Sequence, residues 1–411
     1  MLTAGESQSP GTPVGAGRVL GLIRDGEAVT RADIARRTGL ARSTVAQRVE
    51  ALMAHRFVYE AGGTASTGGR PPTVLAFNRA AGVVLVAALG ATHARIAVTD
   101  LAGDPLAEDG FETDIARLPE QILQWVNERF DDLLREADRT HEDVRGIGIG
   151  IPAPVAFSRG EAVAPPMMPG WDGFSVPDWF SKHYDVPVLV DNDVNIMALG
   201  EHHAHWRDCE HLLYVKVGTG IGCGIISGNR IHRGAQGAAG DIGHVRLGGH
   251  QDVVCRCGNT GCLEAVAGGR ALAARLTRAG LEANNTRDVV ELVRAGHAEA
   301  AQAVRDAGRC IGEVLAECIN FFNPGCVIIG GDLAEVHQQL LAGMREMSFG
   351  RSLPMATRDL RLGHSQLGER AGVVGAAIMV VEHVLDPAVV DRAVQNEAPG
   401  SPVRVRTAAT A

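Results

Sequence analysis

"VVLVAALGATHARIAVTDLAG" runs from Val83 to Gly103. An unbroken apolar run meets Gly90, and a second apolar run follows the turn. Runs of Val, Ile and Leu bounded by glycine read as strands, so the stretch predicts a strand, a turn at Gly90 and a second strand. Downstream, "VRGIGIGIPAPV", "VPVLVDNDVN" and "LLYVKVGTGIGCGIISG" are further apolar strands that end in turns. Helical stretches such as Leu118–Ala137 and Ala301–Phe322 lie between them. Strands alternating with helices predict an α/β body. Glycines at strand ends let a backbone approach phosphate closely, although each turn taken alone is also ordinary hairpin geometry.

The chain has 411 residues, enough for two or three domains. Hydrophobic residues make up 45% and aromatic residues only 4%, so the cores must be aliphatic. No apolar run approaches the roughly 18 residues of a membrane span. The start, "MLTAGESQSPGTPVGAG", has neither a basic nor an apolar signal region. The expectation is a cytoplasmic protein whose eight cysteines stay reduced. The net charge of −9 conceals an asymmetry: residues 1–80 carry ten Arg and no Lys against six carboxylates. The rest carries 29 positive and 42 negative side chains. A basic head on an acidic body predicts a polyanion partner for the head alone.

That head contains "TRADIARRTGLARSTVAQRVEALMAHRFV". Thr30 can cap a first helix with Asp33 three residues on, and Gly39 can end it in the left-handed conformation. In a second helix Val45, Val49, Leu52 and Met53 form one apolar stripe. Arg42, Ser43, Thr44, Gln47 and Arg48 then face outward near its start, where a recognition helix meets base edges in double-stranded DNA. Two strand-like runs, Arg56–Glu60 and Thr73–Phe77, flank a glycine-rich tip that carries "GRPP" (Gly69–Pro72). This reads as a β-wing, with Arg70 placed to enter a minor groove. The alternative is a small helical cap with an exposed arginine face. The expected organisation is a winged helix-turn-helix over 16–79, a body over 80–390, and disordered tails at 1–15 and 391–411.

Within the body, "GHVRLGGHQDVVCRCGNTGCLE" (243–264) gathers His244, Cys255, Cys257 and Cys262. Three thiolates and one imidazole make a closed tetrahedral Zn²⁺ site with no position for a catalytic water, hence a structural metal. His250 is a rival ligand, and three reduced cysteines in a glycine-rich loop are the plainer alternative. His202, His205 and Cys209 share a helix face, a weaker candidate than a plain solvated helix. Trp171 could pack near a ligand or in a core.

The ordered series "LGAT", "GIGIPAPV", "PPMMPGWDG", "VDNDVN", "GTGIGCG", "GAAGDIGH", "CRCGNTGCLE" and "NPGCVIIGG" resembles the ROK family of repressors, open reading frames and kinases. The resemblance implies a two-lobed, sugar-kinase-like α/β fold of the actin/hexokinase type. A winged helix ahead of it resembles the family's sugar-responsive regulators, which are dimeric or tetrameric. The resemblance also implies zinc at the His/Cys3 set, sugar hydroxyls on His244 and Glu264, a proton-accepting base at Asp193, and a neighbouring hydroxyl on Asn192. Phosphate-side turns would involve Gly90, Thr92, Gly218, Thr219, Gly220, Gly330 and Gly331.

Two positions depart from the family's kinases. Where they read D-x-G-G-T, this chain reads Ala88-Leu89-Gly90-Ala91-Thr92, without the carboxylate that would organise Mg²⁺ and nucleotide. Asp241 stands where they carry Glu, and it can still accept a sugar hydroxyl although it is one methylene shorter. The expectation is therefore a repressor of carbohydrate genes whose kinase-derived pocket binds a sugar or sugar phosphate without turning it over. The alternatives are an active ATP-dependent, glucokinase-like sugar kinase that also binds DNA, and a DNA-binding protein with a dead pocket acting through a partner protein.

Overall fold

The computed structural model describes residues 14–62, 73–165 and 167–396. The basic head begins with helices α1 (Ala16–Arg24), α2 (Arg31–Thr38) and α3 (Arg42–Ala54). Its local signals act as their chemistry requires. The Thr30 side chain accepts from the Asp33 amide at 3.1 Å, and Gly39 ends α2 at φ 71°. Ile34, Val45, Val49 and Leu52 are fully buried and close a small core. Strands β1 (Val58–Ala61) and β2 (Val74–Phe77) pair antiparallel as a wing. The first begins two residues later than expected, because Arg56 sits at φ 61°, outside the extended region. The wing tip, with Arg70, lies outside the described residues.

The body opens with β3 (Val83–Leu89), β4 (His93–Asp100) and β5 (Pro105–Glu112), followed by α4 (Pro119–Glu136) and β6 (Val144–Ile151). A short hairpin, β7 (Val155–Ala156) and β8 (Glu161–Ala162), precedes α5 (Val176–Phe180) and β9 (Val188–Asn192). Strands β5-β4-β3-β6-β9 form one sheet, antiparallel among the first three and parallel thereafter. The predicted turn at Gly90 is its hairpin, with Leu89 opposite Ala94.

After α6 (Asp193–His205) the plan repeats. Strands β10 (His211–Val217), β11 (Ile221–Ser227) and β12 (Arg230–Ile231) form a meander. Helices α7 (Leu263–Ala267), α8 (Gly269–Arg278), α9 (Thr286–Arg294) and α10 (Ala298–Phe322) then lead to β13 (Cys326–Gly330). Beyond α11 (His337–Arg351) and α12 (Pro354–Thr357), β14 (Arg361–His364) completes a sheet ordered β12-β11-β10-β13-β14. Its strand directions match those of the first sheet. No repeat is visible in the sequence, yet the two lobes share one topology.

Two helices join the lobes. Helix α6 leaves the first sheet and covers the second, whereas α13 (Ala371–Val384) leaves the second and covers the first. They pack face to face at glycines: a Cβ on Gly375 would overlap the Ile196 carbonyl oxygen, and one on Gly200 the Ala371 carbonyl oxygen. The chain then forms α14 (Pro387–Asn396), which packs on α1 of the basic head. Residues 391–396 were expected in a disordered tail and are instead helical, because Val389, Val390 and Ala393 bury themselves in the core shared with α1. Trp171 is fully buried in the first lobe, its indole N–H donating to the Arg117 carbonyl at 3.3 Å, so it is a core residue. Among the described residues no single helix is long and apolar enough to cross a membrane.

Candidate functional site: the interlobe cleft and its cysteine loop

A cavity of about 670 Å³ lies between the lobes. Ala88 and Gly90 of the first hairpin line it, facing Gly330 and Gly331 at the end of β13. At its floor are Asp193, the first residue of α6, and Lys216 of β10. Thr92 is exposed beside the first turn. Gly218, Thr219 and Gly220 form the tight β10–β11 turn, whose Gly218 carbonyl accepts from the Gly269 amide at 2.8 Å. Of the phosphate-type turns, those at Gly90 and at Gly330–Gly331 line the cavity, whereas Thr92, Gly218, Thr219 and Gly220 do not. The Ala88 methyl stands against Gly372 of α13 where phosphoryl chemistry would need a carboxylate.

Asp193 is 6% exposed, and its Oδ2 accepts from the Lys216 ammonium. Burial works to lower the Lys216 pKa, but the pairing with Asp193, reinforced by Asp332 and Glu264, carries it above the ordinary lysine value. The Lys216 ammonium therefore occupies Oδ2 of the carboxylate that would have to serve as the base in a kinase. Lys216 went unnoticed in the sequence. Its only signal is a lysine inside the apolar run "LLYVKV", one step before a glycine turn.

Asn192 caps α6: its Oδ1 accepts from the Val194 amide at 2.9 Å, and its Nδ2 donates to the Ala153 carbonyl at 2.9 Å. Asp191, also unremarked, is 2% exposed and holds Asn195 at 2.9 Å and Arg233 at 2.7 Å, which pins the β12 loop to the first lobe. Glu264 reaches beneath the β10–β11 turn, where its Oε2 accepts from the Ile221 amide at 3.1 Å. Asp241 is exposed at the start of the short turn that carries His244. Of the five residues expected around a sugar, only Asp193 lines the cavity. Glu264 and His244 are not among the lining residues, although Lys216 feels both Asp193 and Glu264, and a Cβ on Gly243 would lie 3.5 Å from Glu264 Cβ.

The loop that follows His244 contains the metal candidate. One donor atom from each of His244, Cys255, Cys257 and Cys262 falls within 4.8 Å of the others, and His250 is not among them. The Cys257–Cys262 sulfur separation is 3.7 Å, as is that from Cys255 Sγ to His244 Nδ1. Zn–S bonds of about 2.3 Å in a tetrahedron place sulfurs ~3.8 Å apart, so the set fits the ion. Gly258 (φ 89°) and Gly261 (φ 72°) turn the loop back on itself. Without a cation, burial pushes the Cys262 thiol up to about 12. His202, by contrast, is paired with Asn229 at 3.2 Å, and no second donor cluster occurs among the described residues.

On the head, Arg42, Ser43 and Gln47 are exposed along the first turns of α3, while Thr44 and Arg48 are half-buried. The Arg48 Nε is shielded without a partner, so this side chain lies partly against the domain rather than fully outward.

Residues 85–383 match the profile of the ROK family, and residues 16–62 match that of the IclR helix-turn-helix domain. The chain belongs to the ROK family. It is 30% identical over 381 residues to the xylose repressor of Caldicellulosiruptor bescii, covering 89% of this chain and 95% of that one. Among solved structures, it resembles a ROK family transcriptional regulator described as a homolog of the E. coli MLC protein. The TM-score is 0.78 at 25% identity, over 93% of this chain and 99% of the other. The ROK hexokinase of Thermus thermophilus is 33% identical with a TM-score of 0.60, over 74% of this chain and all of its own. The two-lobed kinase-like fold and the DNA-binding head are thus both shared with known relatives.

Proposed function

We propose that this protein is a cytoplasmic DNA-binding repressor of sugar-utilisation genes, relieved by a sugar in the interlobe cleft, and not a kinase. The observation that carries this reading is the Asp193–Lys216 pair at the floor of the cleft, opposite a methyl group at Ala88. The candidate base is held by a lysine and the metal-organising carboxylate is missing, yet the fold around them is retained. The head, residues 16–79, reads an operator through Arg42 and Gln47 of α3, with Ser43, Thr44, Arg48 and Arg70 completing the contact. Homodimers or homotetramers place two heads on half-sites about one helical turn apart. Sugar closes the cleft, α13 moves with the lobes, and α14 carries that motion to α1.

The name of the relative makes D-xylose the first sugar to try. Operator affinity is measured by anisotropy with the full-length chain, with and without a sugar panel. Release by one sugar, with no ADP formed from ATP, is expected; sugar-stimulated ADP formation would establish the kinase reading instead. Arg42→Ala should weaken operator binding by about 1–3 kcal/mol and leave sugar binding unchanged.

Zn²⁺ at His244, Cys255, Cys257 and Cys262 is part of the same proposal. Held there, the ion supplies structure only. His244, whose Nδ1 faces Cys255 Sγ at 3.7 Å, would hold the ion by that atom and keep Nε2 for a sugar hydroxyl. Cys257→Ser should abolish the metal content, one ion per chain by elemental analysis, and weaken sugar binding about 10- to 100-fold.

A further inference from the structure

We infer that the cleft is built for an uncharged sugar and against phosphate esters and nucleotides, with Lys216 as a built-in counter-ion in place of a metal. The inference rests on the repressor reading above and narrows it to one ligand class.

The charge of the lining carries the argument. Among the described residues, seven carboxylates and three Lys or Arg side chains face the cavity. Each of the three cations is already engaged. Lys216 donates to Asp193, Arg95 lies 2.6 Å from Glu369, and Arg287 lies 3.6 Å from Glu112. Two further carboxylates draw on cations from outside the lining, Glu108 on Arg370 at 3.0 Å and Glu335 on Arg294 at 2.5 Å. No salt bridge is found for Asp109 or Asp332 among the described residues. A phosphate dianion would therefore enter a wall with an excess of negative charge.

The cation nearest the glycine turns offers no relief. Lys216 would have to release Asp193, which is 6% exposed, and breaking a buried pair leaves an uncompensated charge. A kinase meets the same difficulty with a divalent ion that neutralises both phosphate and carboxylates. Here the ammonium takes that electrostatic place permanently, and Ala88 removes a carboxylate that would recruit the metal. A neutral polyol faces no such conflict. Its hydroxyls can donate to Asp193 and Asp332 while the ion pair stays closed.

The test uses the full-length protein on an operator duplex, read by anisotropy, with thermal shift as a second readout. The probes are D-xylose, D-glucose, N-acetylglucosamine, the 6-phosphates of the latter two, and MgATP. A neutral sugar should release the operator, its phosphate ester should bind at least about a hundredfold more weakly, and MgATP should neither bind nor displace it. Asp332→Asn, at a partly exposed position, removes one carboxylate without changing size and should narrow the gap between sugar and ester. A phosphate ester that binds as tightly as its parent sugar, or a gap unmoved by D332N, overturns this inference and leaves the repressor reading standing. If no probe binds while the operator is held, the sugar-relieved repressor falls together with it.

Discussion

Gly375→Ala should lower the stability of the body by about 2–3 kcal/mol, although alanine is the better helix former by about 1 kcal/mol. The two effects oppose each other, and the contact decides. The new Cβ would overlap the Ile196 carbonyl oxygen of α6, a backbone atom that cannot rotate away. A melting temperature lower by ~5 °C or more is expected for a domain of this size. Gly21→Ala supplies the control. That glycine is also inside a helix, α1, but nothing lies within 4 Å of the added methyl, so the variant should be unchanged or more stable. If both variants melt alike, close packing of α6 on α13 is not what holds the lobes together.

Asp391→Ala should leave sugar binding intact and disconnect it from DNA. The Gly17 amide of α1 donates to Asp391 Oδ1 at 2.9 Å, and a Cβ on Gly17 would overlap the backbone of Pro387. Helix α14 is therefore tied to the head by a hydrogen bond and by a close approach. Coupling between two sites amounts to roughly 5- to 150-fold in affinity. The ratio of operator affinities with and without sugar should collapse towards one in D391A, measured by anisotropy across a sugar titration. A ratio equal to that of the unaltered protein would exclude the α14–α1 joint as the route between cleft and operator.

The readable parts of the sequence were those decided locally. Thr30 and Gly39 announce their caps within four residues, and the three cysteines of 255–262 lie on one turn, so helix ends and donor set could both be named. His244 and His250 could not be separated by spacing alone. Chain folding brings only His244 to the sulfurs. Lys216 was hidden because its meaning depends on Asp193, 23 residues earlier on another element. Residues of α14 were assigned to a tail because the sequence after them is rich in Pro, Ser, Thr and Ala. Its apolar face is meaningful only once α1, some 370 positions away, lies against it. The duplicated sheet order left no trace in the letters, since strand pairing repeats a topology and not a string of residues.

The crossing of α6 and α13 has a mechanical consequence. Each helix is rooted in one lobe and spread over the other, so the glycine contact acts as the pin of a pair of scissors. From this pin the rest of α13, residues 376–384, extends as a rigid arm of about 14 Å at 1.5 Å per residue. A swing of ~5° about the pin displaces the far end by ~1 Å. Helix α14 and the head ride on that far end. In a two-headed assembly the displacement would be applied twice, once at each half-site, so a small adjustment of the lobes around a sugar becomes a misfit to the spacing of the DNA grooves.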